Sequence, residues 1–138
     1  MNIYFSGSIR GGRDDAHIYK EIILHLKKFG RVLTEHIGDE SLKSTGEIFK
    51  DNQAIHDRDL ELLLESDIVI AEVTNPSLGV GYEIAKAIEY KKKVFCIYRN
   101  VDNKPISAMI LGSSDLICLE YSDLDSLKDY LDSNLSVT

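Results

Sequence analysis

Only two cysteines occur in the 138 residues. Cys96 lies within Val94-Phe95-Cys96-Ile97-Tyr98 and Cys118 within Leu116-Ile117-Cys118-Leu119. Both read as small core residues of strands, and with no CxxC spacing they give neither a disulfide framework nor a zinc site. Basic charge is also scarce. Sixteen Lys and Arg stand against 23 Asp and Glu, for a net charge of −7, which argues against non-specific binding to nucleic acid or to an anionic membrane. A small anionic ligand in one local basic pocket stays compatible with that balance. No apolar run approaches the ~18 residues of a membrane span. The first residues enter a strand directly, without the basic and apolar regions of a signal peptide. The expectation is a cytoplasmic protein in a reducing compartment that binds neither nucleic acid nor membrane.

The length fits a single domain, residues 1–138, against a prior of about 150 residues per domain. A chain of this size buries roughly two-thirds of its unfolded surface, enough for a core without staples. Strand and helix patterns alternate along it. Strands are predicted at residues 2–6, 31–36, 68–73, 94–99 and 116–121. Helices are predicted at 14–29, 46–65, 81–92, 106–111 and 124–131. In the first helix Ile18, Ile22, Leu26 and Phe29 share a face, Asp14 and Asp15 stand at its start as caps, and Gly30 ends it. Five strands alternating with helices predict an α/β flavodoxin-like fold: a parallel sheet of order 2-1-3-4-5, covered on both faces. Ligands of such sheets bind at the carboxyl ends of strands one and three, where the order reverses.

Two unusual loops leave those strand ends. The first reads Ser6-Gly7-Ser8-Ile9-Arg10-Gly11-Gly12-Arg13. Its glycines permit close backbone approach, its serines donate hydrogen bonds, and its arginines supply charge, as a phosphate site requires. It is neither GxGxxG nor a P-loop, so a nucleoside triphosphate with Mg²⁺ does not fit. The second loop, Asn75-Pro76-Ser77-Leu78-Gly79-Val80-Gly81-Tyr82-Glu83, joins a buried strand to a helix. It offers backbone N–H groups and a helix N-terminus to an anion. Glu83 is read into the first turn of that helix, where the dipole favours an ionised carboxylate suited to nucleophilic work.

Asp59 interrupts the apolar stripe of the second helix. It is either a structural acid held by a neighbouring Arg or His, or an acid near the crevice with a pKa raised by partial burial. Tyr4, on the first strand, is a core aromatic whose hydroxyl can also fix the direction of a carboxylate. His36 ends the second strand. His17, His25 and His56 lack metal-ligand spacing, and no Ser-His-Asp or Cys-His pattern is readable. Two acids, one ionised and one protonated, are what retaining glycosyl chemistry uses.

The segments Tyr4–Arg13, Leu33–His36, Ala71–Glu83 and Ser107–Ile110, in that order, resemble the 2'-deoxynucleoside 5'-phosphate N-hydrolases of the nucleoside 2-deoxyribosyltransferase superfamily. The resemblance runs through most of the chain and is weak from Gly38 to Gln53 and in the tail. It implies a flavodoxin-like homodimer that cleaves the N-glycosidic bond of a deoxynucleoside 5'-monophosphate to free base and 2-deoxyribose 5-phosphate, with no cofactor and no metal. By the same resemblance Glu83 matches the nucleophile that forms a covalent deoxyribosyl-enzyme, Tyr4 the residue that orients it, and Asp59 the acid that assists departure of the base. Gly7, Ser8, Ile9, Arg10, Gly11, Gly12 and Arg13, with Ser77 and Gly79, match the substrate loops around the 5'-phosphate. Tyr19 and His36 match positions at the base end. Ser107, Ala108 and Met109 match a segment that completes the neighbouring subunit's site.

Two rivals share this fold: a deoxyribosyltransferase that passes the sugar to a second base, and a hydrolase of ribonucleotides such as CMP. Arg10, Ser77 and Ser107 together favour a phosphate over the free 5'-hydroxyl of transferase substrates. A third rival is a nucleotide-binding sensor without catalysis, against which Glu83, Asp59 and Tyr4 argue jointly, because binding alone needs no nucleophile. Nothing in the sequence ranks one base above another.

Overall fold

In the computed structural model, residues 1–9, 15–34 and 51–135 are described. Five strands form one parallel sheet of order β2-β1-β3-β4-β5, the order the alternation predicts. The elements are β1 (Asn2–Ser6), α1 (Ala16–Leu26), β2 (Arg31–Val32), α2 (Asn52–Glu65), β3 (Ile68–Glu72), α3 (Leu78–Glu89), β4 (Lys93–Tyr98), α4 (Ala108–Leu111), β5 (Ile117–Glu120) and α5 (Leu124–Asn134). Among the described residues no helix is long and apolar enough to cross a membrane.

Successive strand residues point to opposite faces, and the two faces carry separate cores. Ile3, Phe5, Ile68, Ile70, Phe95 and Ile97 pack with α1 and α5. Tyr4, Val69, Ala71, Val94 and Cys96 pack with α2 and α3. The central strand β3 is buried at all five positions, as a parallel strand covered on both sides must be. Cys96 and Cys118 are register partners on β4 and β5, and both are free thiols.

The departures from the predicted boundaries have local causes. Strand β2 keeps two residues because Thr34 supersedes the ladder: its hydroxyl accepts the Phe5 N–H at 2.8 Å and donates to the Phe5 carbonyl at 2.6 Å. The predicted continuation at 35 and 36 lies outside the described residues, as do residues 46–50 of the predicted second helix. Helix α2 is capped by Asp51, whose carboxylate accepts the Ala54 N–H at 2.7 Å. Helix α1 ends at Leu26, and Gly30 then passes against the chain's first residue. A Cβ there would sit 2.0 Å from the Met1 carbonyl oxygen, so only glycine fits.

Helix α3 starts three residues earlier than predicted. Ser77 is its N-cap and accepts the Val80 N–H at 3.3 Å. Gly79, read as a turn residue, therefore belongs to the helix itself, as Gly81 does. At its other end Lys91 adopts φ 59°. Its N–H donates to Ile88 O and that of Lys92 to Ala87 O, both at 2.9 Å, which is the Schellman arrangement with lysine where glycine is usual. Lys92 also donates from Nζ to the Leu64 carbonyl at 2.8 Å, tying the end of α2 to α3.

Candidate active site

The carboxyl ends of β1 and β3 meet on the α2–α3 face, and four side chains from separate elements converge there. Tyr4 and Ser6 project from β1 on the same side. Asp59 comes from α2 and Glu83 from α3. Glu83 follows the Ser77 cap by nearly two turns, so it is not the first-turn carboxylate that the sequence suggests, and the dipole that falls off within the first turn does not govern it. Its carboxyl is pushed up to about 7, first by burial, with the nearby Asp59 charge adding and the Tyr4 and Ser6 hydroxyls and Arg58 opposing. The residue keeps partial solvent access, so its carboxyl is crowded by protein but not sealed. The expectation of a freely ionised Glu83 is corrected to a carboxyl poised between its two states near neutrality.

Tyr4 is 1% exposed. Burial, then the Glu83 and Asp59 charges, hold its hydroxyl far above the ordinary phenol range. It is therefore a permanent donor facing Glu83. Asp59 is three-quarters buried, and its Oδ1 accepts from Arg58 Nε at 3.0 Å and Nη2 at 2.9 Å. Of the two sequence readings of Asp59, the neighbouring arginine is present and so is the proximity to the crevice. The rim of the cluster carries an exposed pair, His56 Nε2 lying 3.0 Å from the Tyr82 hydroxyl.

The β1–α1 loop is described as far as Ile9, which packs on the α1–α5 core. Gly7 and Ser8 are buried. A Cβ on Gly7 would approach the Tyr19 ring to 2.9 Å, so glycine lets the loop lie on that ring. Tyr19 itself is fully buried, and its hydroxyl accepts the Ser8 N–H at 3.1 Å. It supports the loop from beneath rather than opening onto a ligand. Among the described residues the buried Ser8 Oγ has no hydrogen-bond partner, and Ser6 Oγ has none beyond its approach to Glu83. An unpaired group such as Ser8 Oγ costs ~1–3 kcal/mol, which an acceptor delivered by a ligand would relieve. Arg10, Gly11, Gly12, Arg13 and His36 lie outside the described residues.

Ser77 stands half-buried at the start of α3, with Gly79 exposed one residue beyond Leu78. No atom within 4 Å obstructs a Cβ at Gly81, so the helix surface there is open. Ser107 lies apart from the cluster. It caps the one-turn α4 by accepting the Met109 N–H at 3.2 Å, and Ser107, Ala108 and Met109 are all exposed.

A second polar group of residues, which the sequence does not reveal as a unit, occupies the same edge of the sheet on its α1–α5 face. Glu72 ends β3 fully buried; burial pushes its carboxyl up, opposed by hydrogen bonds from Tyr121 and Thr74 and by Arg99. The Tyr121 hydroxyl donates to Oε2 and the Thr74 N–H to Oε1 at 2.7 Å. Arg99 Nε approaches Oε2 to 3.9 Å without a hydrogen bond, and Arg99 Nη2 donates to Asp15 Oδ2. The available signal was an acid closing an otherwise apolar strand. Among the described residues no group of three His, Cys, Asp or Glu could hold a metal ion.

Comparison with known proteins shows the family. Residues 3–124 match the nucleoside 2-deoxyribosyltransferase family. A 5-hydroxymethyl-dUMP N-hydrolase from Tetraodon nigroviridis is 51% identical over 116 residues, covering 83% of this chain and 82% of its own. One of the same name from Danio rerio is 52% identical over 114 residues, covering 83% and 80%. Among solved structures, a CMP N-glycosidase from Clostridium botulinum superposes with a TM-score of 0.70 at 18% identity, over 98% of this chain and all of that one, a likeness of fold.

Proposed function

Since the chain belongs to the nucleoside 2-deoxyribosyltransferase family, we propose that it hydrolyses the N-glycosidic bond of 2'-deoxynucleoside 5'-monophosphates. The products are free base and 2-deoxyribose 5-phosphate. The observation that carries the reading is Glu83 set against the Tyr4 hydroxyl with Asp59 beside it. Relatives of about half identity that are named hydrolases of a deoxynucleotide support the choice of water over a second base as acceptor.

In the proposed reaction Glu83, once deprotonated, attacks C1' of the deoxyribose. The Tyr4 O–H holds the carboxylate and leaves one oxygen free to bond. The C1'–N bond breaks toward the base, and the departing base nitrogen takes a proton from the Asp59 carboxyl. Water then attacks C1' and gives a proton to the Asp59 carboxylate, the Glu83–C1' ester bond breaks, and both side chains return to their starting states. Lack of a 2'-hydroxyl eases the oxocarbenium-like transition state, so carboxylates suffice. Ser8 and Ser77, with Arg10 and Arg13, serve the 5'-phosphate.

The working unit is a homodimer. The exposed Ser107, Ala108 and Met109, the last 82% exposed, and on α3 Leu78 at 96% give each protomer exposed residues suited to a neighbour's site. Ser107 then donates to the neighbour's bound phosphate.

The test incubates wild type and Glu83→Ala with deoxynucleoside monophosphates, 5-hydroxymethyl-dUMP among them, with ribonucleoside monophosphates and with nucleosides, and follows free base and sugar phosphate by chromatography. Wild type releases both from deoxynucleoside monophosphates, and Glu83→Ala binds but does not turn over. Base exchange between nucleosides without hydrolysis would make the protein a transferase. Binding without either reaction would make it a sensor.

A further inference from the structure

Asp15 occupies the N-cap position of α1, yet its side chain makes no capping hydrogen bond. An Asp at that position ordinarily accepts from the N–H groups of the first turn, a contact worth ~1 kcal/mol. Here the carboxylate is turned elsewhere. Its Oδ2 accepts from Arg99 Nη2 and, at 3.1 Å, from Asn75 Nδ2. Asp15 is 8% exposed, so the two bonds are charge-assisted and largely shielded from solvent, the stronger class of such contacts.

The partners define what is joined. Asp15 is where the β1–α1 loop returns to a helix. Asn75 belongs to the loop between β3 and α3, two residues before the Ser77 cap. Arg99 follows β4, and its own N–H donates to Thr74 Oγ1 at 3.0 Å. Thr74 N–H in turn holds Glu72 at 2.7 Å. One carboxylate oxygen therefore ties the exit of the first loop to the entrance of the second. Arg99, fixed between Asp15 and Glu72, anchors the tie to the sheet. None of these residues reaches the Tyr4–Glu83 cluster, which lies on the opposite face.

We propose that Asp15 is a positioning residue that sets the spacing between the two substrate loops, holding Ser8 and Ser77 at the separation a bound 5'-phosphate requires. This rests on the proposed hydrolase function. Because the network is remote from Glu83, its loss weakens recognition of the phosphate and leaves the bond-breaking groups in place.

The experiment compares wild type, Asp15→Ala, Asp15→Asn and Asn75→Ala in steady-state hydrolysis of the best deoxynucleoside monophosphate. Melting curves and amide hydrogen exchange are recorded on the same samples. Asp15→Ala raises KM about tenfold with kcat within about twofold, the signature of lost uniform binding. Asp15→Asn keeps an acceptor oxygen and recovers most of the loss. Asn75→Ala severs one arm and keeps the Arg99–Asp15 pair, so it tests the tie if Asp15→Ala does not fold. It raises KM about threefold, roughly 0.7 kcal/mol of binding. In both alanine variants the amides of Gly7–Ile9 and of Thr74–Ser77 exchange faster together.

A lowered melting temperature with unchanged KM overturns the proposal, and so does faster exchange confined to the start of α1. If wild type hydrolyses nothing, the proposed function fails. The exchange result then still decides the loop tie: joint acceleration supports it, and acceleration of one loop alone overturns it.

Discussion

At Glu83 burial and chemistry pull in opposite directions. Burial favours the protonated carboxyl, whereas the proposed attack on C1' needs the anion. The sign for stability follows from the pKa being raised. Between the ordinary value of 4.5 and about 7, the folded state holds a proton that the unfolded state has lost. Stability from this group is thus present at low pH and falls as pH rises through that window. At about 1.4 kcal/mol per pKa unit, keeping Glu83 ionised at pH 8 costs the fold about 3–4 kcal/mol. Glu83→Gln should accordingly melt higher than wild type at pH 8, with the gap shrinking toward pH 5. A gap independent of pH would show that Glu83 is not buried as an acid. In the active protein kcat/KM should rise tenfold per pH unit below 7 and level off above it. A profile flat from pH 5 to 8 would contradict the raised pKa. The sequence marked Glu83 itself, through its place after a strand and a glycine-containing segment. Its protonation was not legible, because desolvation comes from Tyr4 and α2, distant in the chain.

Among the elements, α3 carries Glu83, the proposed nucleophile, and its two ends are built differently. Ser77 provides an ordinary cap, but Lys91 holds the left-handed position of the C-terminal motif. A side chain in that conformation costs ~1 kcal/mol or more relative to glycine. Lys91→Gly should therefore raise the melting temperature by about 3 °C for a domain of this size, with kcat unchanged because the site lies at the other end of the helix. A lower melting temperature would mean that the extra freedom of glycine in the unfolded chain outweighs the relieved strain. Hydrophobic periodicity located every element of the described fold, and the strand order followed from the usual arrangement of five strands alternating with helices. Boundaries were missed where a single side chain took over a backbone role. Thr34 ended β2, and Ser77 began α3 ahead of two glycines. Asp15 was readable as a helix start, but its use as a tie to Arg99 spans 84 positions and leaves no local pattern.

For the molecule as a whole, the proposed dimer makes a strong demand: no protomer alone should hold a complete site. Glu83→Ala and Ser107→Trp protomers, each inactive as homodimers, should recover up to about a quarter of wild-type activity per site when mixed and allowed to exchange subunits. That follows because one of the two sites in a heterodimer combines both intact parts and half of randomly paired dimers are mixed. No recovery, with exchange verified by native mass spectrometry, would show that Ser107 serves its own protomer or none. The exposed apolar residues on α3 and α4 were countable in the sequence only as ordinary hydrophobic positions. Their exposure appears once the sheet has used up the other faces of those helices.

The strand order also has a consequence for synthesis. Strand β1, which supplies Tyr4 and Ser6, lies inside the sheet between β2 and β3, and Asn2 reaches its partner Asp67 across 65 positions. At about 5–20 residues per second on a ribosome, β1 waits several seconds for β3 to emerge. During that wait the described partners it has are β2 and the Leu33 and Thr34 that follow it. Its unpaired backbone N–H and C=O groups and its apolar side chains are open to wrong partners for that interval. The yield of active protein in a cell should therefore be set by translation speed and chaperone supply between these two strands, more than by the stability of the finished fold.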